Sequence, residues 1–328
     1  GISAAELAAV TVVDTALVDY SVVDGDGGTL YQGTVSQEDI VITATKKSTS
    51  AAAAELGVSA EAATALSEAA TALTGATSAQ DIATQTALNS ALAAGGSTAQ
   101  EAAEQMQGSP TNLSAAGSAA VSATGSQVIA VGSSRLASLR SGAQFASSQA
   151  SGFAGGADAN DYGVWMKPFV NFGDQNQRTG IAGYETETYG MALGGDVKVG
   201  DSRRTTIGGS FSYSFTDIDS KGAGNAQTDI DGFQGTLYAD YTTNEWYVEG
   251  LVGYARNEID TSRSITAGAL TATADYGSNQ FMVNIGGGMP MEIAKNHFFT
   301  PNASFQYTLV ENETYTEEGA GAMNLRVD

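Results

Sequence analysis

The sequence predicts a mainly β protein in which residues 161–328 form a transmembrane antiparallel β-barrel. Polar and apolar residues alternate through most of this region, short connections alternate with long ones, and both tryptophans and most other aromatic residues lie here. Period-two alternation indicates strands with one apolar face. Short turns at one rim and long polar loops at the other are typical of bacterial outer-membrane barrels, whose long loops lie outside the cell.

The alternation is clearest at residues 205–215, where aromatic and aliphatic side chains share one face and Thr, Ser and Gly occupy the other. Similar patterns predict eight strands, at 162–173, 184–199, 204–218, 228–243, 245–260, 272–293, 297–312 and 321–328. The apolar residues expected to face lipid are Ile207, Phe211, Tyr213, Phe215, Leu237, Trp246, Val248, Val252, Phe281, Val283, Ile285, Phe305 and Leu309.

The connections between these strands alternate in length. The short ones lie at Gly200–Arg203, about Asn244 and at Ala294–Asn296. The long ones lie at Gly173–Gly183, Ser220–Thr228, Thr261–Thr271 and Glu311–Ala320. A soluble β-sandwich also alternates, with its apolar face turned towards a core, and it is the structural alternative. The loop lengths and the aromatic content favour the barrel.

Two further regions precede the barrel. Residues 1–45 contain short β-branched runs separated by the turn cluster Asp24–Gly28, and we interpret them as the last turns of a longer β-structure. Residues 46–160 are rich in Ala, Ser and Gly, and Ser or Thr near the start of each run with Gly at its end predicts helices that form a connector. Within the connector, residues 113–150 predict one slender helix whose only charges are Arg135 and Arg140.

Composition excludes several classes of function. The formal charge of −22, from 14 basic and 36 acidic residues, argues against binding to nucleic acid, because phosphates attract basic surfaces. Without cysteine the chain has neither disulfides nor a thiolate site. It also lacks a run of 18 apolar residues, which would indicate a transmembrane helix.

Three segments carry a resemblance to a known family. The runs VWMKPFVNFGDQN at 164–176, YGMALGGDVKVGDSRRTTIGGSFSYSFTDID at 189–219 and YARNEIDTSR at 254–263 resemble the opening strands of the classical autotransporter β-domain. The order of a β-helical passenger end at 1–45, a helical connector at 46–160 and a barrel at 161–328 is similar to that family along nearly the whole chain.

The resemblance implies an outer-membrane translocator that anchors its N-terminal passenger, exports it to the cell surface and carries a helix through the pore. The implied partners are outer-membrane lipid, the barrel-assembly machinery, periplasmic chaperones and the chain's own passenger, without a cofactor. The family barrel has twelve strands and an aromatic C-terminus, whereas about eight strands precede Asp328. We therefore expect the barrel to be incomplete in this sequence.

Candidate catalytic and metal sites are weak. His297 is the only histidine and lies beside a predicted turn, and Gly200-Asp201-Ser202 lacks the strand-to-helix elbow of an esterase. The Asp and Gly residues at 24–28 lack the remaining ligands of an EF-hand. No Gly-rich phosphate loop followed by Lys is present. We expect no catalytic, cofactor or metal site, and hence no enzyme.

The helix at 113–150 offers a stronger hypothesis. Arg135 and Arg140 could pair with lumenal Asp196, Asp240 or Glu249 and hold the helix in the pore as a plug, or they could be solvated connector charges. Residues 113–155 contain no Asn, so we expect none of the asparagine-based cleavage by which some family members release their passengers. The alternative functions are a small eight-strand porin or surface adhesin, and a soluble secreted β-sandwich that binds a ligand.

Overall fold

A computed structural model describes residues 14–24, 40–106, 110–141, 153–155, 162–177, 182–222, 225–266, 269–294 and 297–327. It contains a short hairpin, a group of four helices, one long helix and a large antiparallel sheet, in that order. Among these residues, no helix is both long enough and apolar enough to cross a membrane.

The first elements are the strands β1 (Val18–Asp24) and β2 (Ile40–Lys46), which pair with each other in antiparallel register. The other predicted strand runs of this region lie largely outside the described residues, as does most of the Asp24–Gly28 turn. Lys47 joins the hairpin to the helices, because its ammonium group pairs with both Asp19 and Glu55.

Four helices follow: α1 (Thr49–Leu56), α2 (Ala60–Ala72), α3 (Ala79–Ala94) and α4 (Gly96–Met106). Ser48, Ser59 and Ser78 begin the first three by accepting a hydrogen bond from a backbone N–H of the first turn. Gly57 ends α1 in the left-handed conformation at φ 69°, so the Ala-rich run from residue 51 forms two helices. We call residues 49–106 the helical cap.

The long helix α5 spans Pro110–Ser141. It starts before the predicted residue 113, and the predicted residues 142–150 lie outside the described part of the chain. Thirty-two residues correspond to a helix about 48 Å long.

The main sheet contains seven long strands and one short one, and each strand is hydrogen-bonded to its neighbour in the order β12-β9-β8-β7-β6-β5-β4-β3. Helix α5 contacts all seven long strands, so the sheet curves around it. The strands are β3 (Phe153–Gly155), β4 (Tyr162–Gln175), β5 (Tyr184–Val199), β6 (Thr205–Ser220), β7 (Gln227–Thr242), β8 (Tyr247–Ile265), β9 (Leu270–Gly288) and β12 (Asn302–Asn312).

Two small ribbons lie outside this sheet. Strands β10 (Met291–Ala294) and β11 (His297–Phe299) pair with each other within the connection between β9 and β12, and β13 (Tyr315–Thr316) pairs with β14 (Arg326–Val327).

The prediction of an eighth sheet strand at 321–328 was wrong. Residues Gly321–Met323 form a 3₁₀ turn and β14 pairs only with β13, while the short strand β3 lies at the far edge of the main sheet. Gly319 and Gly321 have φ values of 92° and 58°, and these left-handed conformations interrupt a strand. The predicted loop 261–271 is also shorter than expected, because β8 and β9 remain paired as far as Ile265 and Leu270.

Buried apolar side chains form three clusters. One lies between the helical cap and the ends of β8 and β9, and includes Leu66, Leu73 and Ile265. The other two lie between α5 and the inner face of the sheet. The outer face of the sheet instead exposes large apolar residues, which is the reverse of a soluble sandwich.

Candidate functional site

Helix α5 runs along the concave face of the sheet from the long-loop rim to the short-turn rim. Ala116 and Val121 near its start pack with Ile218 and Ile259, which lie towards the long connections. Arg140 in its last turn reaches Glu249, two residues after the start of β8 at the short-turn end. The helix therefore enters from the side of the long loops and ends at the opposite rim.

Two glycines let α5 approach the wall formed by β8 and β9. A Cβ added at Gly125 would lie 2.5 Å from the Gln280 side-chain amide, and one at Gly132 would lie 2.7 Å from a methyl group of Leu251. At Gly117 the nearest atom would be the Tyr276 hydroxyl at 3.7 Å, which is an ordinary contact. The small side chains predicted for this helix thus allow close packing along its middle and its C-terminal half.

Arg135 makes a two-point contact with the wall. Its Nε donates to Asp196 Oδ2 at 2.8 Å and its Nη2 donates to Asp196 Oδ1 at 3.0 Å. The side chains are 11% and 4% exposed, so both charges are removed from most solvent. Tyr238 also donates its hydroxyl to Asp196, at 3.3 Å, and Trp165 donates its indole N–H to that hydroxyl at 2.7 Å.

Arg140 contacts two other carboxylates. Its Nη1 donates to Asp240 at 2.6 Å and to Glu249 at 2.8 Å, so one guanidinium nitrogen joins β7 and β8. The guanidinium also lies 3.7 Å from the centre of the Tyr247 ring, a cation–π contact. A cation in the last turn further stabilises the negative end of the helix dipole. The structure therefore brings together all five residues that the sequence suggested might pair.

Three further hydrogen bonds, one of them donated by a lysine, join α5 to the sheet. Lys167 donates to Ser134 at 2.8 Å, Gln306 donates to Ser126 at 2.7 Å, and Asn312 donates to Ser118 at 2.9 Å. These partners come from strands at both sides of the curved sheet. The serines of α5 are thus contact points, which their composition alone did not reveal.

Large aromatic side chains on the inner face fit against glycines on neighbouring strands. Phe169 lies directly opposite Gly190, Trp165 opposite Gly194, and Tyr238 opposite Gly208. A Cβ at any of these glycines would approach a ring atom within 2.4 Å or less. The sequence reasoning did not single out these residues. An aromatic residue at a polar-face position of a strand could have indicated them.

The outer face carries the residues expected to contact lipid. Twelve of the thirteen are exposed, with Leu237 at 72% and Phe305 at 68%, and Val283 is half-buried. Trp246 lies in the turn before β8, where its ring packs near Tyr241. Beyond this apolar band, towards the long loops, the outward residues of β5, β6 and β7 are mostly acidic, and β8 and β9 add Glu258, Asp260 and Asp275.

The weaker candidate sites remain apart. His297 begins the exposed strand β11, and Gly200-Asp201-Ser202 lies in the turn between β5 and β6, where Gly200 has a φ of 81°. Among the described residues, no group of three or more His, Asp or Glu side chains has a geometry suited to a metal ion.

Comparison with known proteins decides the family. The profile named Autotransporter beta-domain matches residues 164–328, which is half of the chain. The chain belongs to the autotransporter β-domain family. The predicted fold class and the outer-membrane translocator function are thereby confirmed, and neither a small porin nor a soluble sandwich is favoured. The translocator itself is not an enzymatic domain.

The relatives of this autotransporter are much longer proteins. Outer membrane protein B of Rickettsia prowazekii (strain Madrid E) is 29% identical over 217 residues, covering 60% of this chain and 13% of that protein. Outer membrane protein A of Rickettsia conorii (strain ATCC VR-613 / Malish 7) is 28% identical over 178 residues, covering 51% and 9%. The extracellular serine protease of Serratia marcescens is 30% identical over 177 residues, covering 52% and 16%.

Among solved structures, the translocator domain of the autotransporter NalP from Neisseria meningitidis is similar over 49% of this chain and 55% of that chain. The TM-score is 0.43 and the sequence identity is 16%. The names of the relatives, together with the family match, support an outer-membrane location for this autotransporter with a passenger at the cell surface.

Proposed function

We propose that helix α5 of this autotransporter remains in the pore after export, where it tethers the passenger and plugs the barrel. The observation that carries the proposal is the pairing of both α5 arginines with three buried carboxylates of the inner wall. Removing one partner of such a pair leaves a buried charge uncompensated and costs about 3–5 kcal/mol.

The two arginines define the position of the helix as well as its stability. They are five residues apart, so their side chains leave the helix about 140° apart around its axis. Arg135 therefore reaches β5, while Arg140 reaches β7 and β8. A rotation or a shift of the helix by one turn would break both sets of ion pairs. This arrangement favours one stationary placement over a helix that slides freely.

Membrane lipid is the proposed partner of the outer face. The apolar side chains there are exposed within the described part of the chain, and outward-facing apolar bands are how such barrels contact hydrocarbon. Trp246 and Tyr241 near the short turns suit the membrane interface, where aromatic rings with a polar group are favoured.

The barrel-assembly machinery and periplasmic chaperones are the proposed protein partners. A sheet edge cannot leave its backbone N–H and C=O groups unpaired in lipid, so the strands need protection until they pair. The exposed apolar face needs similar protection in the aqueous periplasm. The passenger is the cargo, and its own activity is a property of the whole protein.

Conductance across a planar lipid bilayer tests the plug. In the full-length protein, we expect Arg135→Ala combined with Arg140→Ala to open the pore, with frequent large-conductance events that the unaltered protein rarely shows. Lys221→Ala is the matched control, because the ion-pair partners of that lysine are Asp174 and Glu185, which lie on barrel strands at the rim.

Thiol crosslinking tests the position of the helix independently. Residues 1–328 contain no cysteine, so Ser126→Cys with Gln306→Cys introduces the only thiols of this segment, at two side chains that touch across the lumen. A short bismaleimide should join them in the membrane-inserted protein. Absence of the crosslink, in a protein that is inserted and displays its passenger, would refute a helix resident in the pore.

A further inference from the structure

The helical cap and the long-loop rim of the barrel share one hydrophobic core. Leu56, Leu66, Leu73 and Leu88 of the cap are at most 8% exposed. They pack in the same cluster as residues supplied by the barrel side, namely Ile265, Leu270, Ala272, Ala320 and Met323. The cap's remaining buried residues are mostly alanines, so the rim contributes several of the larger apolar side chains of this core.

Arg263 lies at the centre of this junction. It is 3% exposed, and its Nε and Nη2 donate to the two carboxylate oxygens of Glu317 at 2.8 and 2.7 Å. Nη2 also donates to the Met323 carbonyl at 2.6 Å, and the Leu325 N–H donates to Glu317 at 2.8 Å. These contacts lie within residues 263–325, so the barrel side can form them by itself. We call Arg263, Glu317 and Met323 the rim socket.

The rim socket binds the C-terminal end of α4. Nη1 of Arg263 donates to the Gln105 carbonyl at 3.1 Å, and this carbonyl belongs to the last turn of the helix, where carbonyls accept from groups outside the helix. A guanidinium group at this end also complements the helix dipole. The Gln105 side chain adds two hydrogen bonds to Thr266, by donating to its hydroxyl at 2.7 Å and accepting from its backbone N–H at 2.9 Å.

The end of α4 is closely coupled to the pore helix. Only residues 107–109 separate Met106 from Pro110, so the chain can span at most about 14 Å between them. A cap held on the rim therefore limits how far α5 can move towards the short-turn side. The arginine pairs at the other end of α5 resist rotation and sliding from within the lumen.

We propose that the rim socket acts as a latch for the pore helix from outside the lumen. By binding the end of α4, it keeps α5 in the pore. The latch rests on the proposed function, since it has a purpose only if α5 occupies the lumen. It assigns a role in pore closure to Arg263, Glu317 and Gln105, none of which lies on the pore helix. At this junction a buried guanidinium group binds the C-terminal end of a helix.

Hydrogen exchange of the full-length protein in liposomes tests the latch. We expect Gln105→Ala, which removes both bonds to Thr266, to raise the exchange rates of cap amides and of the first turns of α5 by roughly tenfold. Gln100→Ala is the matched control on the same helix, because its side-chain amide donates to Glu104 of that helix and not to the rim. The control should leave exchange in α5 unchanged.

A second variant separates the latch from loss of folding. Arg263→Met with Glu317→Leu replaces a buried ion pair by apolar side chains, an exchange that often leaves a fold intact. It removes the guanidinium donor to Gln105 and should raise α5 exchange and the frequency of pore openings by a similar factor. Unchanged α5 exchange in both variants, whether or not the cap itself loosens, would overturn the latch.

The crosslink between positions 126 and 306 distinguishes the two proposals. If it fails to form in a protein with an intact rim, the pore helix is not resident and the proposed function fails. If it forms fully and α5 exchange is insensitive to both rim variants, the plug stands and only the latch is wrong.

Discussion

At the scale of single residues, the inner face of the barrel depends on pairs of a glycine and an aromatic ring on adjacent strands. Trp165 and Tyr238 occupy the space left by Gly194 and Gly208, and the indole N–H then meets the tyrosine hydroxyl that also contacts Asp196. The ring positions and the carboxylate that receives Arg135 are therefore linked. A glycine without side-chain chemistry helps to place a charged contact.

We predict that Gly194→Ala destabilises the barrel by about 1–3 kcal/mol, because the new methyl group would lie 2.4 Å from the rigid indole. Gly235→Ala is the control, since a Cβ there meets nothing within 4 Å. The free energy of unfolding in urea, followed by tryptophan fluorescence in detergent micelles, measures both. Equal effects of the two substitutions would contradict the packing argument.

At the scale of elements, five neighbouring strands place carboxylates directly opposite one another on the outer face. Glu187, Asp217, Asp229, Asp260 and Asp275 form a continuous cross-strand row. They lie beyond the apolar band, on the long-loop side of Phe215, Tyr254 and Phe281. Like charges directly opposite each other destabilise a strand pair. The hydrogen bonds of the sheet and the apolar face below the row offset this repulsion.

This row makes stability depend on pH. A hydrogen bond to Asp275, burial and repulsion by neighbouring carboxylates raise the pKa of Asp260 to about 6. The corresponding pKa in an unfolded chain is about 3.9. A raised pKa in the folded protein means that the stabilising contribution is complete below the unfolded value and is lost as pH rises through about 6.

We therefore predict that the urea concentration at the midpoint of unfolding decreases as the pH is raised from 4 to 7. Asp260→Asn should make this decrease smaller. The measurement is a pair of urea titrations at low salt for each protein, because salt screens exposed charges. Glu245→Gln, in the turn at the opposite rim, is the control and should keep the wild-type pH dependence. Parallel curves for wild type and Asp260→Asn would rule out the row as the cause.

At the scale of the whole molecule, α5 is restrained at both ends by different means. Ion pairs hold its C-terminal half inside the lumen, and the folded cap at the rim limits its N-terminal end. The strands exchange hydrogen bonds mainly with sequence neighbours, so the sheet is a simple meander into which the helix fits. A passenger on the N-terminal side of the cap would be connected to the barrel through the cap and α5.

We predict that the passenger stays joined to the barrel, because residues 113–155 contain no Asn for intramolecular cleavage. In a full-length protein expressed without surface proteases, immunoblots should show one species that carries both passenger and barrel epitopes. Replacing Ser122 and Ala123 by Asn tests whether this pore can support cleavage at all. A discrete released passenger from the unaltered protein would contradict the prediction.

Much of the fold follows from sequence pattern alone. Period-two alternation located the seven long strands, most closely at 184–199 and with one boundary five residues off at 245–260, 272–293 and 297–312, because a strand with one lipid-facing side repeats every two residues whatever its neighbours are. Serine N-caps and glycine ends predicted the helices of the cap, since both act within a few residues of chain. The exception was 321–328, where left-handed glycines and a local 3₁₀ turn replaced a strand.

The candidate site was likewise only partly predictable from the sequence. The sequence alone determined that α5 is slender, that its charges are Arg135 and Arg140, and that acidic residues occur on polar strand faces. Only the tertiary structure decided which carboxylate each arginine meets and that Arg263 grips the end of α4, 158 residues away in sequence. Periodicity is a local property of the backbone, whereas the pairing of distant side chains depends on the curvature of the sheet and the rotation of the helix within it.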